Sequence, residues 1–207
     1  MSAATEREIA AMRHAIALAE RGFGLTSPNP VVGCVILDDA RRVVGEGFHQ
    51  HAGGPHAEVA ALAAAGPLAR GGTAVVSLEP CRHTGRTGPC TKALIDAGVI
   101  RVVYATSDPS PKAGGGADEL RAAGVEVVGG VLADEAARSN EAWLHFARAG
   151  RPFVTWKFAA TLDGRTAAAD GTSRWITSEA ARADVHRLRA RHDAVMVGTG
   201  TALTDDP

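Results

Sequence analysis

Cysteine is scarce in this chain: Cys34, Cys81 and Cys90 are the only three in 207 residues. So small and odd a number argues against a disulfide framework and leaves metal binding or inert burial as the uses of these thiols. Charge of one sign is also lacking. The formal net charge is -1, without the basic surplus expected of a nucleic-acid partner, although a local basic patch would not register in that sum. No run approaches the roughly 20 apolar residues needed to cross a bilayer, so no membrane partner is expected. Ser2 to Ala11 carries Glu6, Arg7 and Glu8 where a signal peptide has its apolar core, and a cytoplasmic location is expected. Internal repeats and low-complexity tracts are missing. Tyr104 is the sole tyrosine, a compositional trait given no functional weight.

What is present is ordinary for a globular protein, with 45% hydrophobic and 22% charged residues. The length allows one complete domain and part of another. Residues 5–21 place Ile9, Met12, Ala15, Ile16 and Ala19 at helical spacing before a stop at Gly22. Residues 31–37 and 42–48 read as two strands of a hairpin with a polar turn at 38–41. A helix is predicted over 56–65, a strand over 73–78, a helix over 90–97 and a strand over 100–105. Beyond these come a helix over 118–123, a strand over 125–128 and one long helix over 133–149. This alternation predicts an α/β fold with crossover connections and some parallel pairing. Gly150-Arg151-Pro152 breaks the pattern, so domains are expected at 1–149 and 150–207. In the second, strands at 153–159 and 194–197 flank a helix at 178–191, a set too small to close a core alone.

His56-Ala57-Glu58, Pro80-Cys81 and Pro89-Cys90 are weak motifs separately. Their order is informative: His-x-Glu opening a helix, Pro-Cys after the next strand, and a second cysteine opening the following helix. That is the zinc-deaminase pattern, with the spacing from Cys81 to Cys90 stretched. One imidazole and two thiolates leave a fourth tetrahedral position for water. Two thiolates also neutralise the ion and leave that water less acidic than a three-histidine site would. A general base is then useful, and Glu58 is the nearest one. A closed structural zinc site, with His51 or His83 as fourth ligand, is the competing account, and it gives Glu58 no task. Cys34 lies within an apolar strand and is expected to be buried.

SPNPVVGCVI at 27–36, GEGFHQHAGGPHAEVAAL at 45–62 and SLEPCRHTGRTGPC at 77–90 resemble the deaminase half of the bifunctional riboflavin-biosynthesis deaminase–reductase family. WKFAATLDGRTA at 156–167, SRWITSEAAR at 173–182 and LRARHDAVMVGTGTALTDDP at 188–207 resemble the beginning of its reductase half. The resemblance implies a cytidine-deaminase-like three-layer α/β/α domain followed by the start of a dihydrofolate-reductase-like α/β domain. It implies zinc-dependent deamination of a pyrimidine ribotide, 2,5-diamino-6-(5-phosphoribosylamino)pyrimidin-4-one. In the full-length protein, NADPH-dependent reduction of the ribosyl group to a ribityl chain follows. A homo-oligomer is implied as well. Family members continue past Pro207 with the rest of the reductase sheet.

The resemblance also assigns residues. Asn29, His49 and His83 fall at substrate-binding positions of the deaminase, although Asn29 between two prolines also fits a plain turn and a lone histidine is often structural. Arg82, Arg86 and Lys92 surround the second cysteine and suit a phosphate; Arg82 and Thr84 depart from the family pattern. In the reductase part, Ser173 and Arg189 map to substrate positions and Ala159, Trp175, Thr201 and Asp205 to cofactor positions, while Lys157, after an apolar strand, is placed to face the substrate. Lys157 also reads as a solvent-facing edge residue and Trp175 as core. Gly198-Thr199-Gly200-Thr201 after the expected strand 194–197 is a turn whose N–H groups suit a phosphate, but it is not a dinucleotide fingerprint. Two other accounts stay open: a different zinc-dependent nucleoside, base or tRNA deaminase, and a non-catalytic zinc-binding interaction module.

Overall fold

The computed structural model describes residues 3–85 and 87–205. Its contacts separate two units, Met1–Phe153 and Val154–Pro207. In the first, the elements in chain order are α1 (Glu6–Glu20), β1 (Gly33–Leu37), β2 (Val43–Phe48), α2 (Ala57–Ala65) and β3 (Thr73–Leu78). They are followed by α3 (Cys90–Asp96), β4 (Arg101–Thr106), α4 (Gly116–Ala122), β5 (Glu126–Val128), α5 (Ala133–Ser139) and α6 (Glu141–Ala149).

The strands form one mixed sheet in the order β2-β1-β3-β4-β5. β1 runs antiparallel to both β2 and β3, whereas β3, β4 and β5 are parallel. Alternation along β1 shows how the layers arise: Cys34 and Ile36 face one cluster, Val35 and Leu37 the other. The first cluster takes Ala57, Ala61 and Ala65 of α2, Leu94 of α3 and Leu120 of α4. The second takes Met12, Ala15 and Ile16 of α1 and Ala136 of α5. The sheet is therefore a middle layer covered on both faces, and β1, β3 and β4 are buried along their whole length for that reason. The cysteine of β1 is fully buried, as its apolar setting suggests.

α1 begins at a capping box. The Thr5 hydroxyl accepts from Glu8 N–H, and the Glu8 carboxylate accepts from Thr5 N–H at 2.8 Å. α2 packs unusually close to the sheet because small residues face each other. A Cβ on Gly47 would fall 2.5 Å from Ala61 N and 2.6 Å from Ala57 O, and one on Gly45 2.3 Å from Ala61 O. This close approach sets the depth of the α2 start, where His56 is the cap residue and Glu58 lies in the first turn.

Two expectations are corrected here. The long helix 133–149 is two helices, broken at Asn140, whose φ of -113° and ψ of 19° leave the helical region. The Asn140 amide is engaged with Val31 across the fold, so it cannot follow the helix as an exposed residue would. In the second unit the strands expected at 153–159 and 194–197 are not formed. A strand needs a hydrogen-bonded neighbour, and among the described residues of Val154–Pro207 none pairs. That unit contains α7 (Glu179–Ala190), started by the Ser178 hydroxyl accepting from Ala181 N–H, and α8 (Thr199–Asp205). α7 buries none of its residues, and the Trp156 and Phe158 rings stack on each other with centroids 4.8 Å apart while staying exposed. Among the described residues no helix is long and apolar enough to cross a membrane.

Candidate metal centre and its pocket

The C-terminal ends of the parallel strands β3 and β4 open where two helices begin, the usual place for a site in an α/β sheet. His56 caps α2, Cys81 lies three residues past β3, and Cys90 is the first residue of α3. The backbone joins the last two directly, with Thr91 N–H donating to Cys81 O at 3.2 Å. His56 Nδ1 stands 3.2 Å from Cys90 Sγ and 3.5 Å from Cys81 Sγ, and all three candidate ligand atoms lie within 4.8 Å of one another. Zinc bonds of about 2.3 Å to sulfur and about 2.0 Å to nitrogen give a tetrahedral nitrogen–sulfur edge of about 3.5 Å. The donor set thus fits zinc in chemistry and in spacing, with Nδ1 as the histidine donor.

Without an ion, the three side chains share protons among themselves. The hydrogen bond from Cys90 lowers the Cys81 thiol to about 4, with His56 assisting, and the same bond together with burial drives Cys90 far upward. The bond to Cys81 raises His56 against the opposing effect of burial, and the Glu58 charge adds to the rise. Burial lifts the Glu58 carboxyl to about 7, opposed by its own backbone N–H. A divalent cation next to it would pull that value back down.

Around the centre runs a pocket lined by residues of the first unit, among them Asn29, Pro30, His49, Glu58, Glu79, His83, Asp108 and Trp143. His49 is buried and fixed at both ring nitrogens: Nδ1 is 2.9 Å from Pro55 O, and Nε2 is 3.0 Å from Asn29 Nδ2. Nδ1 therefore donates and Nε2 accepts the Asn29 amide N–H, the neutral tautomer that burial also favours by lowering its pKa. Its ring meets that of His56 edge-on at 5.5 Å. His83 also lines the pocket, and its Nδ1 is buried without a hydrogen-bond partner.

Two acidic residues on the pocket wall had no place in the sequence pattern. Glu79 accepts from three backbone N–H groups, of Asp108 at 3.1 Å, Gly115 at 3.1 Å and Ala117 at 3.0 Å. It thereby ties the loop after β4 to the Pro80-Cys81 corner. Burial raises the Asp108 carboxyl against the bond it accepts from Ser110 N–H, and the Glu79 charge adds to the rise. Their only sequence signal was position: each follows the end of a parallel strand. Trp143 was masked by helical periodicity, which reads as core.

The remaining candidate residues lie elsewhere. Arg82 is exposed beside Gly115, and Lys92 pairs with Asp96 at 2.6 Å on the surface of α3. Neither lines the pocket described. In the second unit Lys157, Ser173, Trp175, Arg189 and Thr201 are exposed and Ala159 is half-buried. Trp175 carries the Arg182 guanidinium 4.3 Å above its ring. Thr199, Gly200 and Thr201 form the first turn of α8 where a loop was expected. Arg86 and the Asp205 side chain lie outside the described residues.

Comparison with known proteins matches residues 5–106 to the cytidine and deoxycytidylate deaminase zinc-binding region and residues 152–207 to the RibD C-terminal domain. The riboflavin biosynthesis protein RibD of Mycobacterium tuberculosis is 58% identical over 185 residues, 89% of this chain and 55% of that protein. That of Escherichia coli is 52% identical over 197 residues, 95% of this chain and 53% of that protein. A solved diaminohydroxyphosphoribosylaminopyrimidine deaminase/5-amino-6-(5-phosphoribosylamino)uracil reductase from Thermotoga maritima superimposes with a TM-score of 0.92. It is 44% identical, over 97% of this chain and 58% of that one. RibD of Acinetobacter baumannii superimposes with a TM-score of 0.90 at 50% identity, over 98% of this chain and 57% of that one. The chain thus spans little more than half the length of these relatives.

Proposed function

From the chain's membership of the RibD family of riboflavin-biosynthesis proteins, we infer that residues 1–149 form a zinc-dependent deaminase and residues 150–207 begin a reductase domain. The substrate we assign is 2,5-diamino-6-(5-phosphoribosylamino)pyrimidin-4-one. The observation that carries this reading is the convergence of His56, Cys81 and Cys90 within 4.8 Å beside the buried carboxylate of Glu58, in a pocket with polar walls.

His56, Cys81 and Cys90 would hold the zinc, which when bound polarises a water for attack on a ring carbon. Glu58 accepts the proton that this water loses and passes it to the adjacent ring nitrogen. It then carries the water's second proton to the departing amine, so that ammonia leaves and a ring carbonyl replaces the amino group. Burial raises the carboxyl and a neighbouring cation lowers it, so the two effects oppose each other at the proton-carrying group. Asn29, oriented by His49, presents its amide to the edge of the heterocycle, and His83 offers the buried Nδ1 as a further polar contact. The Asp108 carboxyl on the pocket wall suits a ring rich in N–H donors, whereas Glu79 is taken up by its three backbone partners.

NADPH and reduction of the ribosyl group belong to the same proposal for the full-length protein, with Lys157, Ser173 and Arg189 toward substrate and Ala159, Trp175, Thr201 and Asp205 toward cofactor. The described part of the second unit has no strand to align these positions, so it does not by itself cradle a dinucleotide and no hydride step is derived. A cytoplasmic homo-oligomer without nucleic-acid or membrane partners completes the proposal. The test is ammonia release by the zinc-loaded chain from the diaminopyrimidinone ribotide, cytidine, guanine and a tRNA anticodon stem. Release from the ribotide alone is expected; release from one of the others instead would move the chain to a different deaminase specificity.

A further inference from the structure

The break between α5 and α6 places two residues with no evident reason to be where they are unless the pocket needs them. Asn140 is buried, and its side chain is fully used: Oδ1 accepts from Val31 N–H at 2.9 Å, and Nδ2 donates to Val31 O at 2.8 Å. The amide thus acts as a short strand neighbour to a residue 109 positions away. Val31 directly follows Asn29 and Pro30, both on the pocket wall. The other end of this loop is held by Thr26, whose Oγ1 donates to Asn29 O at 3.1 Å and whose own carbonyl accepts from Asn29 N–H at 2.8 Å. With Asn140 removed, the Val31 anchor would be lost, and the loop would keep only its bonds to Thr26 and His49.

Asn140 also starts α6, with Leu144 N–H donating to Asn140 O at 2.8 Å. Trp143 follows three positions later, close to one helical turn and on a neighbouring part of the same face. It is half-buried and lines the pocket together with Asn29, Pro30 and Glu58. The other lining residues are mostly polar or small, and Trp143 carries the largest apolar side chain among them.

Resting on the deaminase reading above, we propose that Trp143 is a substrate-binding residue whose indole meets the bound pyrimidine, and that Asn140 is the positioning residue that sets both the Asn29 loop and the helix carrying Trp143. The experiment uses the zinc-loaded chain with Glu58→Gln, expected to bind with turnover slowed enough to leave the ligand intact, titrated with the diaminopyrimidinone ribotide. Tryptophan fluorescence and equilibrium dialysis are read in parallel.

Binding is expected to change the emission, and Trp143→Phe in that background should abolish the change while dialysis still detects binding. Asn140→Ala should raise the half-saturation concentration about tenfold, the scale of one or two lost polar contacts, with zinc content unaltered. A purely structural tryptophan would leave the emission insensitive to ligand. An emission change that persists in Trp143→Phe, or dialysis-detected binding without any change, would overturn the role of Trp143. A folded Asn140→Ala chain with unaltered half-saturation would overturn the role of Asn140. Should Asn140→Ala fail to fold, Asn140→Asp, which keeps the acceptor for Val31 N–H and loses the donor, takes its place with the same expectation. Absence of ribotide binding by dialysis in the Glu58→Gln parent would instead defeat the deaminase reading, and this inference with it.

Discussion

Glu8 shows how much depends on a single buried carboxylate. It is fully buried, receives Arg101 Nε at 2.8 Å and Arg41, and also closes the capping box of α1. Arg101 reaches Glu126 as well, so one network joins α1 to β4 and β5. Burial alone would raise the Glu8 pKa, but the bonds from Arg101 and Thr5 outweigh it and hold the carboxyl below its ordinary 4.5. A depressed folded-state value means that this contribution to stability is present above the unfolded pKa and is lost as pH falls through the folded one. The urea midpoint of the wild-type chain should therefore drop between about pH 6 and about pH 3 by more than that of Glu8→Gln. At neutral pH the Gln variant should already be less stable by about 3 kcal/mol, the cost of breaking a buried ion pair. Parallel pH dependence in the two chains would mean that the carboxylate does not carry this term.

At the scale of elements, the depth of α2 decides the position of His56 and Glu58. Gly47→Ala would put a methyl group among backbone atoms of α2, 2.5 Å from Ala61 N. Relief requires the helix to move outward. Overpacking of this kind costs about 1–3 kcal/mol, and a displacement near 1 Å at a reacting group can lower a rate by about a hundredfold. Gly47→Ala is expected to retain its far-ultraviolet circular dichroism yet lose most of its ammonia release. Wild-type turnover would show that the packing against β2 does not set the site.

The same elements show what was legible in the sequence. α1 to β5 follow from apolar periodicity and capping residues, because local pattern and tertiary burial agree along this stretch. The cluster of His56, Cys81 and Cys90 was legible because a zinc site would demand particular residue types at fixed points on adjacent elements. Asn140 was not: an asparagine inside a periodic helical run carries no mark of a partner at Val31. Glu79 and Asp108 were hidden for a similar reason, since their role depends on loops brought together only by the sheet. The strands expected at 153–159 and 194–197 failed because strand propensity needs a paired neighbour to become a strand.

For the whole molecule, the two units differ in kind. Residues of the first share two apolar clusters on either side of one sheet, whereas α7 in the second buries nothing and Trp156 and Met196 are 82% and 94% exposed. Backbone amides of β1, β3 and β4 should therefore exchange hydrogen slowly, and those of residues 154–205 should exchange orders of magnitude faster. Comparable protection in both units would contradict this description of the second.

In the proposed reaction, Glu58 moves protons beside a zinc site that it does not help to build. Zinc content and ammonia release from the diaminopyrimidinone ribotide, measured side by side for the wild-type chain and Glu58→Gln, test it most directly. One zinc per chain is expected in both, with turnover lowered by about 10²–10⁴ in the variant. Unchanged turnover in a zinc-loaded Glu58→Gln chain, or loss of its zinc along with activity, would contradict it.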